Sequence, residues 1–279
     1  MAPLSSPSSH LSWSALTDRG RFRSNNEDTF LGLAFDAEHM RHLGKVGEAS
    51  LAETDFVFAV SDGMGGARSG EFASRITLEK VTRLLPRGFR RSAGGTHVGF
   101  SEILAEIVTG IHQDLTKMGQ SYEECAGMGA TLSLGWFTPG WIHFSHVGDS
   151  RIYHLPQGGA LTQLTQDHTY VGALRRSGQI NEREARTHPR RNALQQVLGA
   201  GDQFVVPQLG AAPCAPGDRF LFCTDGLIDG LWDRRLEEAL RGSTPVADLA
   251  GELVREAVRD SGRDNATAIV VAIQPAAAS

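Results

Sequence analysis

Residues 56–74 read FVFAVSDGMGGARSGEFAS, and the fold turns on how that line is parsed. The apolar run Phe56 to Val60 reads as a buried strand. It ends on Asp62 among Gly63, Gly65 and Gly66, after which the period becomes helical, with Phe72, Ala73, Ile76, Val81, Leu84 and Leu85 recurring until Pro86 and Gly88 stop it. A carboxylate at the end of a buried strand is costly to desolvate, so a cationic partner is expected beside Asp62.

Working outward, HLSWSAL (10–16), DTFLGLAF (28–35) and DFVFAVSD (55–62) read as sheet strands, while 36–54 is polar, glycine-spotted and patternless and reads as an inserted surface loop. A second helix is marked by Phe100, Ile103, Leu104, Ile107, Val108, Ile111, Leu115 and Met118. GATLSLGWF, WIHFSHVGDS, RIYHL and ALTQLT then suggest a strand meander broken by the turns TPG and PQGG. Residues 168–198 look helical, and DRFLFCTDG and NATAIVVAI supply late strands around helices near 232–241 and 245–259. Such an order does not alternate as βαβ units do, so the fold class expected is α+β with antiparallel sheets. One domain over 10–274 is expected, with frayed ends at 1–9 and 275–279.

The composition excludes several classes. A net charge of −5 disfavours nucleic acid as a ligand. Cys125, Cys214 and Cys223 are odd in number and far apart, which indicates neither a disulfide framework nor a zinc cluster and fits a reducing, cytoplasmic location. The first residues lack a basic and apolar leader, and no apolar run is long enough to span a bilayer, so no membrane role is expected.

The pattern at Asp62 recurs. FSHVGDS ends on Asp149, FLFCTDG on Asp225, and GRDNATAIVV begins with Asp264, while RSNNED places Glu27 and Asp28 four and five residues after Arg23. A lone Asp-Gly is usually a turn. Four aspartates at strand ends in one domain point instead to hard oxygen ligands for magnesium or manganese, with Gly63, Gly148 and Gly226 allowing close backbone approach.

In order, RSNNED, AVSDGMGG, GATL, HVGDSRIY, LTQDHT, CTDGLIDGL and GRDNATAIVV resemble the motifs of the metal-dependent serine/threonine protein phosphatases of the PPM family (type 2C), bacterial members in particular, over residues 10–274. The resemblance implies a sandwich of two antiparallel sheets flanked by helix pairs, with a helical flap at 168–198 over the active site. It implies that Asp62 bridges two Mn2+ or Mg2+ ions, that Glu27 and the Gly63 carbonyl complete one site and Asp225 and Asp264 the other, and that Asp149, Asp225 and Asp229 hold a third, weaker ion. Arg23 would clamp the substrate phosphate, its planar fork suiting two oxygens. Asp28 and Asn265, beside ligand positions, are candidates to support them. The reaction implied is hydrolysis of phosphoserine or phosphothreonine in proteins by hydroxide held between two metals, opposing a serine/threonine kinase in a monomeric, cytoplasmic signalling enzyme.

Met64 stands where animal relatives carry a histidine suggested as general acid. Protonation of the leaving oxygen would fall to water, favoured here, or to His146 or His168. Asp167 reads as readily as a helix N-cap. The flap carries Arg175, Arg176, Arg183, Arg186, Arg190 and Arg191 against Glu182 and Glu184, which fits either attraction of acidic substrates or an ordinary solvated helix face. A phosphoprotein-binding protein without turnover and a nuclease are the competing functions; the filled ligand positions count against the first and the negative charge against the second.

Overall fold

The computed structural model describes residues 9–36, 38–52, 54–65, 69–93, 99–201 and 204–275. Nearly all of the two expected frayed ends, and Gly66, lie outside them.

Strands β1 (His10–Asp18) and β2 (Asp28–Phe35) are followed by two short strands, β3 (Met40–His42) and β4 (Val46–Ser50), and by β5 (Asp55–Met64). Helices α1 (Ser69–Ala93) and α2 (Phe100–Ser121) and a 3-10 turn at Glu123–Cys125 come next. Then come β6 (Gly129–Ala130), β7 (Leu132–Thr138), β8 (Trp141–Val147), β9 (Arg151–Leu155) and β10 (Thr162–Gln163). Short helices α3 (Tyr170–Arg176) and α4 (Glu182–Thr187) lead to β11 (Gln208–Pro213) and β12 (Arg219–Cys223). Helices α5 (Asp225–Gly230), α6 (Asp233–Arg241) and α7 (Val246–Asp260) precede the last strand, β13 (Ala266–Gln274).

Two antiparallel sheets result, one ordered β10-β9-β12-β13-β1-β4 and the other β11-β8-β7-β5-β2-β3, with β6 paired to β5. The opening stretch explains the layering. Phe56, Phe58 and Val60 of β5 point between the sheets, against Trp13, Phe137, Phe222 and Ile269. Val57 and Ala59 point the other way, into a core shared with Val81, Ile103, Ile107 and Ile111 of α1 and α2. A strand buried on both faces has no polar face to alternate with, hence the continuous apolar run. The second sheet repeats the logic: Ile269 and Val271 of β13 face inward, while Ala268 and Val270 pack on Leu249, Leu253 and Val254 of α7. The order of layers is helices, sheet, sheet, helices, as expected.

Four local readings need correction. The patternless 36–54 segment is not a simple loop, because β3 closes the edge of one sheet and β4 the edge of the other. It is anchored by Trp13, whose indole N–H donates to the Gly44 carbonyl at 2.9 Å and whose ring lies so close over Gly47 that an added Cβ would stand 2.4 Å from it. Helix α1 runs through Pro86 to Ala93, since a proline removes one hydrogen bond in a helix already docked on β5. Phe72, counted on its apolar face, is 41% exposed. The meander is interrupted too: β7 and β8 pair in one sheet, and the chain then crosses at Gly148 to lay β9 in the other.

Candidate active site

The strand ends meet at one end of the sandwich. Register places Asp28 of β2 directly opposite Asp62 of β5. The Asp62 N–H donates to Thr131 Oγ1 at 2.9 Å, and its carbonyl accepts from the Thr131 N–H at 2.8 Å, so Thr131 fixes both backbone groups of this aspartate. Gly63 donates its N–H to the Glu27 carbonyl at 3.1 Å, which ties the 19–27 loop to the strand. A Cβ on Gly63 would lie 1.8 Å from the Gly70 carbonyl, so only glycine lets the first turn of α1 close on β5. A Cβ on Gly226 would likewise lie 1.9 Å from the Asn265 carbonyl, and this contact sets α5, with Asp225 at its start, beside Asp264.

Asn265 is the hub of the loop. Its Oδ1 accepts from the Glu27 N–H at 2.8 Å, and its Nδ2 donates to the Arg19 and Asn25 carbonyls at 2.8 and 3.0 Å. Asp28 Oδ2 accepts from the hydroxyls of Thr224 and Thr267, both at 2.7 Å, at the roots of α5 and β13.

Arg23, Glu27, Asp62, Gly63, Asp149, Asp225 and Asp264 line one cavity of about 220 Å3, together with Met64. The flap adds Asn192 and Leu194, which the sequence did not single out. A smaller neighbour of about 80 Å3 shares Asp149, Asp225 and Asn192 and adds Asp229, so the acidic floor continues under the flap. Desolvation, then neighbouring carboxylates, push Asp62 and Asp225 well above the usual carboxylate range. Burial and Asp167 push Asp149 up to about 7, and burial pushes Asp28 up to about 7 against the pull of its threonine bonds. Burial also raises Asp229, opposed by Arg191 and Arg186.

Arg23 is half exposed and paired with Asp264 at 2.6 Å, a bond that raises its own pKa. Among the described residues, no three acidic, histidine or cysteine side chains converge on one point as a finished ligand set. The acids line the cavity walls instead, with Asp264 turned onto the arginine. The fit to a cation is one of donor chemistry: carboxylates and a glycine carbonyl, with one arginine among them, are suited to a hard divalent ion and ill suited to zinc.

Neither histidine considered as a proton donor lines this cavity. His146 is fully buried against the Ser133 hydroxyl at 2.9 Å, and burial lowers its pKa to about 3. His168 Nδ1 accepts from the Gly148 N–H at 3.3 Å. Thr169, not Asp167, caps α3, taking the Gly172 N–H at 2.9 Å. Asp167 is instead the partner of Arg151, at 2.9 and 2.6 Å.

The flap is less helical than its sequence suggested, with α3 and α4 followed by turns. Its arginines are largely engaged within the molecule. Arg175 pairs with Asp233 at 2.6 Å, Arg176 donates to the Asp167 carbonyl at 2.8 Å, Arg186 grips the end of α5, and Arg190 stacks 4.2 Å over Tyr170. These contacts occupy four of the six flap arginines considered in the sequence, leaving Arg183 and Arg191 outside the set.

A family model for protein phosphatase 2C matches residues 46–265, a span that holds Asp62, Asp149, Asp225 and Asp264 but not Arg23 or Glu27. The serine/threonine phosphatase stp of Listeria monocytogenes is 30% identical over 256 residues, 91% of this chain and 93% of that one. The serine/threonine protein phosphatase PstP of Mycobacterium tuberculosis is 32% identical over 263 residues, 93% of this chain and 44% of that longer one. A crystal structure of the M. tuberculosis phosphatase PstP/Ppp superposes with a TM-score of 0.76 at 30% identity, covering 95% of this chain and 99% of that one. The catalytic domain of a PstP in complex with two manganese ions superposes with a TM-score of 0.74 at 29% identity, over 95% and 99% of the two chains.

Proposed function

The chain belongs to the protein phosphatase 2C family and is a metal-dependent serine/threonine protein phosphatase of that type; from that premise we propose that it hydrolyses phosphoserine and phosphothreonine in proteins by direct attack on phosphorus, with no phosphorylated enzyme intermediate. The observation that carries the reading is the convergence of Glu27, Asp62, Asp149, Asp225 and Asp264, from five separate segments, on one cavity whose wall includes Arg23.

Glu27, Asp62 and the Gly63 carbonyl would hold one divalent cation, and Asp62, Asp225 and Asp264 a second; Asp149, Asp225 and Asp229 would hold a third, weaker one. Such ions, when bound, supply a nucleophile drawn from water and positive charge for the phosphoryl oxygens. The chain's own part is positioning. Asp62 is held from both sides by Thr131, so its carboxylate is delivered to the shared position without a search. Asp264 pairs with Arg23 in this structure; as a cation ligand it would leave the guanidinium free to fork onto two phosphate oxygens. Met64 has no proton to give and no histidine among the described residues lines the cavity, which supports water as the proton source for the leaving oxygen.

Residues 10–274 act as one catalytic domain with 168–198 as its flap. No helix among the described residues is long and apolar enough to cross a membrane. A monomeric enzyme in the cytoplasm, opposing a serine/threonine kinase, is the setting proposed. The test is hydrolysis of a phosphothreonine peptide with manganese, with chelator, and by Asp225→Ala. Turnover that needs the metal and is lost in the variant is expected; metal-independent turnover, or none under any metal, overturns the reading.

A further inference from the structure

Helix α5 carries Asp225 at its first position and Asp229 four residues on, and it is only six residues long. A helix that short leaves most of its last carbonyls without an intrahelical donor. At this end the donor comes from the flap. Arg186 of α4 donates through Nη1 to the Ile228 carbonyl at 2.5 Å and, at 3.5 Å, to that of Asp229, and through Nη2 to the Leu231 carbonyl at 2.6 Å. Its guanidinium carbon lies 4.2 Å from the Trp232 ring centroid.

The arginine is itself held. Glu182, one turn earlier, accepts from its Nε and Nη2 at 3.3 and 3.1 Å, and the same carboxylate oxygen accepts from the Asp233 N–H at 3.3 Å, at the start of α6. Helix α4 is fixed in turn by a reciprocal cap between Asn181 and Glu184, at 3.0 and 2.8 Å. A cation at a helix C-terminus is also favoured by the helix dipole. Arg186 is 16% exposed and its N–H groups are spent on backbone and Glu182, which makes it a poor binder of substrate phosphate. The cavity beside it is the smaller one, floored by Asp149, Asp225 and Asp229.

We propose that Arg186 is a positioning residue through which the flap fixes the end of α5, and so sets the affinity of the cation taken by Asp149, Asp225 and Asp229. This rests on reading those three carboxylates as cation ligands. Coupling of this kind is reciprocal, so occupancy of that acidic site steadies the flap as much as the flap steadies the site.

Manganese binding to the full chain, followed by the electron paramagnetic resonance of the free ion, tests it with Asp229→Asn and Asp62→Asn as references. Arg186→Met keeps an unbranched stem over Trp232 and removes every N–H donor. It is expected to reproduce Asp229→Asn, weakening the Asp229-dependent ions by about tenfold or more while leaving the Asp62-dependent ions unchanged. Arg186→Lys, which restores a single ammonium in place of the planar fork, recovers part of the loss. An Arg186→Met isotherm that superimposes on the unmodified protein, weakens both classes alike, or is compared with a protein that has no Asp229-dependent ion at all, overturns the proposal. Should Arg186→Met fail to fold by circular dichroism, Glu182→Gln carries the same test: a smaller loss confined to the Asp229-dependent ions supports it, and an unchanged isotherm overturns it. Failure of the phosphatase reading shows separately, as absence of metal-dependent peptide hydrolysis by the unmodified chain, whereas an overturned role for Arg186 leaves that hydrolysis intact.

Discussion

The acidic floor and the flap above it are held in place by different means. Asp62 lies within a strand paired on both sides, and Asp149, Asp225 and Asp264 sit within two residues of strand ends, so the backbone ladder sets their positions. The flap's two short helices are tied down by side chains: Arg175 to Asp233, Arg176 to the Asp167 carbonyl, Arg186 to the end of α5. A ladder is lost only when the sheet unfolds, while a side-chain tether is lost by one substitution. On the function proposed above, the difference teaches that chemistry is entrusted to the sandwich and adjustment to the flap.

The sharpest way to break that contrast is Asp62→Ala. If several kcal/mol of transition-state stabilisation pass through this carboxylate, at about 1.4 kcal/mol per decade, turnover falls by about a thousandfold or more with the fold intact, as steady-state kinetics and circular dichroism will show. Phe58→Ala strikes the frame instead. It removes a ring packed between the sheets against Trp13, Phe137 and Phe222, and should cost about 3–5 kcal/mol in denaturant unfolding. A loss of that size without a fall in activity per folded molecule keeps frame and chemistry distinct.

The frame also has an acid-sensitive point. His146, on the strand leading to Asp149, is buried with its pKa lowered to about 3. The unfolded chain takes up its proton near pH 6.5, before the folded one does, so the unfolded state binds more protons between those values. Its contribution is present above about pH 6.5 and is lost as pH falls toward 3. Unfolding free energy measured across that window should decline with acid, and His146→Gln should flatten the slope; an unchanged slope locates the sensitivity elsewhere. The smallest effect is expected in the flap. Arg190 is spent on Tyr170, so Arg190→Glu should leave KM for a phosphopeptide within about twofold, the range of an ordinary surface change. A larger rise would show that this part of the flap meets substrate directly.

Legibility followed the same division. β5 and β13 announce themselves because burial on both faces forces an unbroken apolar run, and the aspartates at or near strand ends stand out against it. The edge strands do not. All three residues of β3 are exposed, and Gln208–Pro213 ends in Gly, Ala, Ala and a proline at a sheet edge, so neither carries an alternation to read. Pro86 misled because a local rule about breaking helices yields to tertiary docking. Asn192 enters the cavity from a turn and Leu194 from an isolated bridge to Thr169, and the role of Arg186 depends on carbonyls 42 to 45 residues away, which no spacing within 168–198 could reveal.

The pairing of β1 with β13, from His10 against Gln274 to Asp18 against Ala266, has a consequence for how the enzyme comes into being. On a ribosome the first strand must wait for its central neighbour until the last one emerges, a closure across almost the whole chain and a slow one. Asp264 and Asn265 arrive with that same strand, so the 19–27 loop, tied to β5 at Glu27, lacks its Asn265 hub and the Asp264 partner of Arg23 until β13 has emerged. A chain that has not yet made β13 therefore has an unfinished acidic floor.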